Sequence, residues 1–192
     1  YAVTDATGAS IVIEYTKSGL TIHDNTVNAV TNNPTYDWQL TNLRNYIGLS
    51  ATNRETVKVG TQEIRPFGQG TGMHGLPGDF SSPSRFVRAT AFSNNALPSK
   101  DVNEGVFRAF HILNNFDIPK GAIRESESKT LMDYTVWTSV TDTTNAVYYY
   151  KTYKSQAVEC VDLRKALVDL KSPKLIKMQN EFSIKDRTAE VK

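Results

Sequence analysis

Cysteine is nearly absent from this sequence, since Cys160 is the only one among 192 residues. A single cysteine excludes an internal disulfide and a zinc site built from several thiolates. It is compatible with a reducing compartment, and we therefore expect a cytoplasmic protein. Cys160 falls in a predicted strand with no histidine beside it, so we interpret it as a small buried apolar side chain rather than a nucleophile.

Long apolar runs and blocks of one charge are missing as well. Runs such as Ile11-Val12-Ile13 have the length of a strand, whereas a helix that spans a bilayer needs about 20 apolar residues. The 22 basic and 20 acidic residues are scattered and leave a net charge of +2. This distribution gives no electrostatic reason to expect nucleic acid or an anionic membrane as a partner.

The sequence also lacks a recognisable cofactor or metal motif. Gly68-Gln69-Gly70-Thr71-Gly72 is not followed by the helical pattern that a phosphate-binding loop requires. His23, His74 and His111 have no metal-ligand spacing. We interpret His111, on an apolar helix, as a hydrogen-bonded structural residue, and His74 as a solvated loop residue. We expect neither a metal ion nor an organic cofactor.

What the sequence does contain is a block of strand patterns, then helices, then strands again. Turn signals at Thr7-Gly8 and Ser18-Gly19 separate the first strands, and Ile11, Ile13 and Tyr15 would share one strand face. The predicted elements are strands at 1–5, 10–15 and 20–23, helices at 35–49, 82–94 and 102–115, a glycine-rich loop at 50–80, strands at 133–141, 146–153 and 156–162, a helix at 163–170 and a strand at 174–178. Segregated strands and helices favour an α+β fold with antiparallel sheets, and we predict one domain for residues 1–192.

Two polar residues occupy positions suited to chemistry. Asn32 lies where a strand ends and a helix led by Pro34 begins, and a side-chain amide there can donate to a substrate oxyanion. An asparagine that only caps a turn has the same local pattern. Arg85 lies in the first turn of the second predicted helix, where the helix dipole disfavours a cation, so it should have a carboxylate or functional partner. Arg88 shares its face, and two solvated arginines are the alternative interpretation.

Several sequence blocks occur in one order along nearly the whole chain. They are Thr31-Asn32-Asn33-Pro34-Thr35-Tyr36-Asp37-Trp38, Thr41-Asn42-Leu43, Pro66-Phe67-Gly68-Gln69-Gly70, Gly75-Leu76-Pro77-Gly78-Asp79, Ser84-Arg85-Phe86-Val87-Arg88, Phe110-His111-Ile112-Leu113, Ile118-Pro119-Lys120-Gly121 and Tyr148-Tyr149-Tyr150-Lys151-Thr152-Tyr153. Together these blocks resemble the penicillin V acylase and conjugated bile salt hydrolase (choloylglycine hydrolase) family. The set is far more specific than any one motif.

This resemblance implies an N-terminal-nucleophile hydrolase fold, a four-layer αββα sandwich with antiparallel sheets, of which this chain is the C-terminal part. It implies that a cysteine at the mature N-terminus attacks an amide carbonyl, with its own α-amine as the base, and that the acyl-thioester is then hydrolysed. The family's oxyanion-hole asparagine falls on Asn32. Its active-site arginine falls on Arg85, whose guanidinium would lower the pKa of the thiol. No metal or organic cofactor is implied.

The resemblance also implies an N-terminal segment with the nucleophile, which residues 1–192 do not contain and Tyr1 cannot replace. We expect the isolated chain to be inactive and to need that segment as a partner. The substrate would be a small-molecule amide. Trp38 and Phe67-Gly68-Gln69-Gly70 favour a penicillin V acylase, with conjugated bile salts or acyl-homoserine lactones as alternative substrates. A non-catalytic binding module on the same scaffold is the other class of function. The excursion at 50–78 is a candidate for the subunit contacts of a homotetramer.

Overall fold

The computed structural model describes residues 1–127, 131–168 and 172–191. Its contacts divide the chain into two compact units, Tyr1–Pro98 and Ser99–Lys192. Every strand pair in the described ranges is antiparallel, and strands and helices are segregated along the chain, so the α+β class is confirmed. The assignment of residues 1–192 to one domain stays a prediction.

The first unit begins with a three-stranded antiparallel sheet. Its strands pair in the order β1 (Ala2–Thr4), β2 (Ser10–Thr16) and β3 (Gly19–Asp24). Side chains alternate between the two faces of a strand, and Val12 is 1% exposed whereas Tyr15 is 84% exposed. The shared face of Ile11, Ile13 and Tyr15 is therefore the outer one, and the face of Val12 contacts the core.

The first helix is shorter than predicted. α1 spans Tyr36–Asn42 and continues as a 3-10 turn over Leu43–Tyr46, so the predicted helix at 35–49 ends early. Trp38 and Ile47, two of the apolar residues that suggest this helix, are 44% and 87% exposed. The core-facing side follows the i, i+3, i+4, i+7 spacing of a helix. It consists of Tyr36, Gln39, Leu40 and Leu43.

The second helix agrees with its prediction. α2 spans Ser82–Asn95 and has Pro83 in its first turn, where a missing backbone N–H costs no helical hydrogen bond. The N-cap residue is Ser81, whose side chain makes no capping bond. Ser82 is buried, and its hydroxyl oxygen accepts a hydrogen bond from the backbone N–H of Asn33 at 3.1 Å. The start of α2 is thus tied to the segment that precedes α1.

The core of this unit lies between β2 and the two helices. It is formed by Val12, Ala29, Tyr36 and Phe86. Phe86 is fully buried and meets Tyr36 edge to face, with ring centroids 6.0 Å apart. Burying an apolar side chain of this size stabilises a fold by about 1.5–3 kcal/mol. This cluster therefore fixes α1 and α2 against β2.

The segment at 50–80, predicted as a loop, contains a hairpin. β4 (Val57–Val59) pairs with β5 (Gln62–Ile64), and Gly60 at the turn has a φ of 59° that a residue without a Cβ adopts readily. A 3-10 turn, Thr71–Met73, follows. The loop prediction is wrong for the hairpin because strands of three residues have too little periodicity to be recognised.

The second unit begins with a helix and continues as short strands. α3 (Val102–Leu113) starts after Asp101, whose carboxylate accepts the backbone N–H of Glu104 at 2.9 Å, and ends in a 3-10 turn, Asn114–Phe116. The remaining elements are β6 (Ile123–Arg124), β7 (Met132–Asp133), β8 (Trp137–Asp142), β9 (Val147–Thr152), β10 (Glu159–Asp162) and α4 (Leu163–Leu167). β6 pairs with β7, and the larger sheet has the order β10-β9-β8.

Three predictions in this unit need correction. The strand predicted at 133–141 is interrupted between β7 and β8. No strand forms at 174–178. Leu175 and Ile176 in that segment are largely exposed, and Ile176 and Met178 help to line an open cavity of about 300 Å³ beside Trp137. The helix predicted at 163–170 is α4, which ends at Leu167, and the last part of the prediction lies outside the described residues.

Cys160 lies in β10 as predicted, but it is exposed, so its interpretation as a buried apolar side chain is wrong. The next residue, Val161, faces the other side of the strand and lines the cavity beside Trp137. His111 is exposed on α3, and its hydrogen-bonded structural role stays a prediction, whereas His74 is exposed in its loop as predicted.

Candidate active site

Asn32 lies in the connection between β3 and α1, and the backbone beside it is held from two directions. The N–H of Asn33 donates to Ser82 Oγ at 3.1 Å. The carbonyl oxygen of Asn33 accepts Gln39 Nε2 at 3.1 Å, and Thr31 Oγ1 accepts the same nitrogen at 3.4 Å. Gln39 is 1% exposed. A buried amide and a buried hydroxyl thus fix the backbone that carries the Asn32 side chain.

Arg85 lies in the first turn of α2, as predicted, and its partner is Asn32. Arg85 Nη2 donates to Asn32 Oδ1 at 2.6 Å, and Arg85 Nε donates to the carbonyl oxygen of Phe80 at 3.0 Å. The helix dipole disfavours a cation at this position, and the two oxygen acceptors offset that effect. The structure therefore brings together the two residues selected from the sequence. Of the two kinds of partner expected for Arg85, a carboxylate or a functional residue, it has the second, the neutral amide of Asn32.

The contact also determines which way the Asn32 amide points. A guanidinium has only donors, so the atom of Asn32 that meets it must be the carbonyl oxygen Oδ1. The Nδ2 group of Asn32 is then left to donate in another direction. Arg85 in this way turns an exposed asparagine into an oriented hydrogen-bond donor.

The second arginine of α2, Arg88, is buried rather than solvated, with 5% of its surface exposed. Its Nη1 donates to the backbone carbonyls of Pro77 and Asp79, both at 2.7 Å. Burial lowers the pKa of Arg88, while the carboxylate of Asp79 raises it and the nearby Arg85 lowers it further. The interpretation of two solvated arginines is therefore wrong for this residue.

The Asp79 carboxylate is held by the residues that follow it. Asp79 Oδ1 accepts the backbone N–H of Ser81 at 2.8 Å, and Oδ2 accepts Ser84 Oγ at 2.5 Å. Hydrogen bonds from Ser81 and Ser84 stabilise the charged form and lower the pKa of Asp79 to about 2. At neutral pH this carboxylate is fully ionised and anchors the loop before α2.

A carboxylate on β2 holds the start of α1. Both oxygens of Glu14 accept the backbone N–H of Tyr36, at 3.0 and 3.1 Å, which satisfies one of the unpaired donors at the helix N-terminus. His23 Nε2 lies 3.5 Å from Glu14 Oε2, and the His23 ring contacts that of Tyr36. Glu14 therefore links the sheet, the helix and the connection that contains Asn32.

An open cleft of about 480 Å³ lies between β2 and the connection that contains Asn32. It is lined by Tyr1, by residues 12–16 and by residues 30–35. Asn32 is one of these lining residues, so a ligand in the cleft can reach its side chain. Among the described residues, no group of three or more histidine, cysteine or acidic side chains could hold a metal ion. None of the helices in the described ranges is long and apolar enough to cross a membrane.

Sequence reasoning missed the residues that support this pair. Gln39 could have been found, because it occupies a core-facing helical position between Tyr36 and Leu43 and a polar side chain there needs a partner. Ser82 and Arg88 carry no comparable signal. Each bonds to the backbone of another segment, and the local sequence pattern does not show that this segment lies close by.

Residues 1–176 match the family described as linear amide C–N hydrolases, choloylglycine hydrolase family. The bile salt hydrolase/transferase of Clostridium perfringens is 38% identical over 185 residues, which cover 96% of this chain and 55% of that protein. The chain belongs to the choloylglycine hydrolase family. The bile salt hydrolase/transferase of Lactiplantibacillus plantarum is 39% identical over 160 residues, 83% of this chain and 49% of that protein. The penicillin V acylase of Pectobacterium atrosepticum is 27% identical over 177 residues, 85% of this chain and 41% of that protein.

The structural comparison agrees with this choloylglycine hydrolase assignment. A crystal structure of a variant of the conjugated bile acid hydrolase from Clostridium perfringens superimposes with a TM-score of 0.84 at 37% identity, covering 96% of this chain and 56% of that one. The N-terminal-nucleophile hydrolase fold expected from the resemblance is thereby confirmed. The chain spans about half the length of the curated relatives it matches.

Proposed function

We propose that the complete protein containing this chain hydrolyses linear amides, with conjugated bile salts as its substrates. The observation that carries the proposal is the hydrogen bond from Arg85 to Asn32 Oδ1, which leaves the Asn32 amide nitrogen as a donor at the edge of a cleft. Membership of a family of linear amide hydrolases supports the same reaction.

In the proposed reaction, a thiolate elsewhere in the complete protein attacks the amide carbonyl carbon. A carbon–sulfur bond forms, and the carbonyl π electrons move to oxygen. Asn32 Nδ2 donates to that oxyanion, and the guanidinium of Arg85 stabilises the thiolate before attack. The oxyanion electrons then re-form the carbonyl as the carbon–nitrogen bond breaks, and the leaving amine takes up the proton that the thiol gave to its own α-amine. Water attacks the acyl-thioester, which releases the acid and regenerates the thiol.

The relatives support bile salts over penicillin V as the substrate. The two bile salt hydrolase/transferases are 38% and 39% identical to this chain, whereas the penicillin V acylase is 27% identical. The preference for penicillin V that Trp38 and the 67–70 segment suggest is not confirmed. Both Trp38 and Phe67 are exposed, and neither lines the cleft beside Asn32.

Comparative turnover by the complete protein tests this proposal. We expect kcat/KM for a glycine-conjugated bile salt to exceed the values for penicillin V and for a long-chain acyl-homoserine lactone by at least about tenfold, a difference of roughly 1.4 kcal/mol. A preference for penicillin V would favour the acylase. Failure to hydrolyse any of the three, by a folded protein whose mature N-terminus is cysteine, would favour a non-catalytic module.

We also propose that the complete protein is a homotetramer and that the β4–β5 hairpin contributes to its contacts. Cross-strand partners Val57 and Ile64 are 55% and 51% exposed, and Val59 on the same face is 64% exposed. Lys58 and Glu63 pair on the opposite face. A two-stranded hairpin is marginally stable by itself, so a neighbouring subunit that covers the apolar face would stabilise it.

A further inference from the structure

Arg88 lies one turn after Arg85 on α2, and the reaction proposed above gives it no role. A buried arginine is costly unless its donors are satisfied. Arg88 Nη1 meets the carbonyl oxygens of Pro77 and Asp79, both at 2.7 Å. A buried cation thus draws together two carbonyls of the loop formed by residues 77–81, and it does so from the second turn of α2.

The same loop has a second attachment to α2. The Asp79 carboxylate accepts the N–H of Ser81 and the hydroxyl of Ser84, at 2.8 and 2.5 Å. Ser81 Oγ also donates to Ser84 Oγ at 3.1 Å. The 77–81 loop is therefore fixed at its backbone by Arg88 and at its side chains by the first turn of α2.

The held loop supplies an acceptor to the candidate catalytic arginine. The carbonyl oxygen of Phe80, between Asp79 and Ser81, accepts Arg85 Nε at 3.0 Å. A second donor of the same guanidinium, Nη2, reaches Asn32 Oδ1 at 2.6 Å. Because a guanidinium is planar, fixing the direction of Nε also fixes the direction of Nη2.

We propose that Arg88 is a positioning residue for the reaction: by holding the 77–81 loop, it fixes the Phe80 carbonyl that directs Arg85 onto Asn32. Arg88 is not one of the residues that line the cleft, and its bonds to the carbonyls of Pro77 and Asp79 let it act through the loop. This inference rests on the proposed function of the Asn32–Arg85 pair. It assigns to Arg88 the role of keeping Asn32 and Arg85 in the geometry that the reaction needs.

Kinetics of the complete protein provide the first test. Arg88→Met should lower kcat about 10- to 100-fold, since a misplacement of about 1 Å can reduce a rate by about 10²-fold. The Kd of the product acid should change less than about threefold, because Arg88 does not line the cleft. Arg88→Lys keeps a charged donor and should recover at least half of the loss on a logarithmic scale. If Arg88→Met and Arg88→Lys both fold and lose the same amount of kcat, the anchoring role is contradicted.

A double-mutant cycle separates positioning from general stabilisation. On an Arg85→Met background, Arg88→Met should lower kcat by less than about threefold further, because the guanidinium that it positions is already gone. A full additive loss would overturn the inference. Arg108→Met is the matched control: Arg108 pairs with Glu104 on α3 in the other unit, so its removal should leave kcat unchanged.

A crystal structure of the Arg88→Met protein tests the inference without any turnover. The Arg85 Nη2–Asn32 Oδ1 distance, 2.6 Å here, should lengthen beyond hydrogen-bonding range, and an unchanged pair would overturn the inference. If Arg88→Met does not fold, Asp79→Ala removes the second anchor at an exposed position and should lengthen the Arg85–Asn32 distance in the same way.

The proposed function and the positioning role can fail separately. An inactive wild-type protein would reject the proposed function, whereas an active wild type with a fully active Arg88→Met would reject only the positioning role.

Discussion

At the scale of the residue, the functional role of Asn32 depends on its hydrogen bond from Arg85. An exposed asparagine before a helix is usually a turn residue, and its amide can rotate. The guanidinium of Arg85 removes that freedom by binding Oδ1. The two side chains are therefore one functional unit: the arginine sets the orientation, and the asparagine supplies the donor.

Substitution of Asn32 tests this division of labour in the complete protein. Asn32→Ala should lower kcat about 10²- to 10³-fold, the usual effect of losing one oxyanion donor. Asn32→Asp keeps an oxygen for Arg85 but replaces the donor with a second carboxylate oxygen, so its loss should be at least as large. Steady-state kinetics give kcat for both variants, and circular dichroism checks that both are folded. An active Asn32→Asp protein would show that the amide donor is not required.

The ionisation of Asp79 gives a second prediction at this scale. Its pKa is lowered from 3.8 to about 2 by hydrogen bonds from Ser81 and Ser84. Because the folded-state pKa is depressed, the stabilisation is present above about pH 4 and is lost as the pH falls through about 2. Ser84→Ala should raise the pKa of Asp79 toward 3.8, which a carboxyl carbon NMR titration would detect.

Asp142 provides an internal reference in the same titration. Its pKa is also lowered, by hydrogen bonds from Asn145, and it lies in the other unit. Ser84→Ala should leave the pKa of Asp142 unchanged. If the pKa of Asp79 also stayed at its wild-type value, the hydrogen bond from Ser84 would not be a cause of the shift.

At the scale of the element, hydrophobic periodicity and turn residues predict the longer elements well. β2, β3, α2 and α3 lie within a few residues of their predicted positions, because each has clear boundaries in glycine, proline or a capping residue. The β4–β5 hairpin was missed, because three-residue strands carry little pattern. The strand expected at 174–178 is wrong: the segment forms no strand, and Leu175 and Ile176 are largely exposed, so a short apolar run alone does not indicate a paired strand.

Gly72 shows how a short element can depend on one residue. It is buried in the 3-10 turn after the hairpin, and its carbonyl oxygen accepts the N–H of Ser50 at 2.9 Å. A Cβ at this position would overlap the carbonyl oxygens of Thr52 and Ser50. Gly72→Ala should therefore lower the free energy of unfolding of the complete protein by about 1–3 kcal/mol, as overpacking usually does.

The matched control is Gly68→Ala. A Cβ at Gly68 would have no atom within 4 Å, and its φ is not in the left-handed region. Its free energy of unfolding should stay within about 0.5 kcal/mol of the wild-type value in urea titrations. Similar values for the two variants would mean that the backbone around Gly72 relaxes to accept a side chain.

At the scale of the whole molecule, the candidate site could be predicted only in part. Asn32 and Arg85 were selected from their local positions and from a family resemblance, but their contact joins residues 53 positions apart. Local patterns carry no information about such a contact. The same limit explains why the supporting roles of Ser82 and Arg88 were not anticipated, since their partners belong to other segments.

The assembly proposal can be tested by changing one face of the β4–β5 hairpin. Val59→Lys places a charge on the exposed apolar face and should shift the complete protein to a smaller species, since an unpaired charge in an interface costs several kcal/mol. Glu63→Lys introduces the same side chain on the polar face and should leave the assembly intact. Light scattering after size-exclusion chromatography measures both. A wild-type monomer, or an unchanged Val59→Lys tetramer, would contradict the proposed contact.

The long sequence separation between Asn32 and Arg85 has a consequence for how the protein folds. Bringing together two segments 53 residues apart loses chain entropy before the contact gives any stabilisation. The bond between Ser82 and Asn33, 49 residues apart, has the same character. Local turns and helices are therefore expected to form earlier, and this junction to close last. A molecule in which Arg85 has reached Asn32 should therefore already contain the turns and helices of its first unit, and the formation of this contact would mark a late step in the folding of that unit.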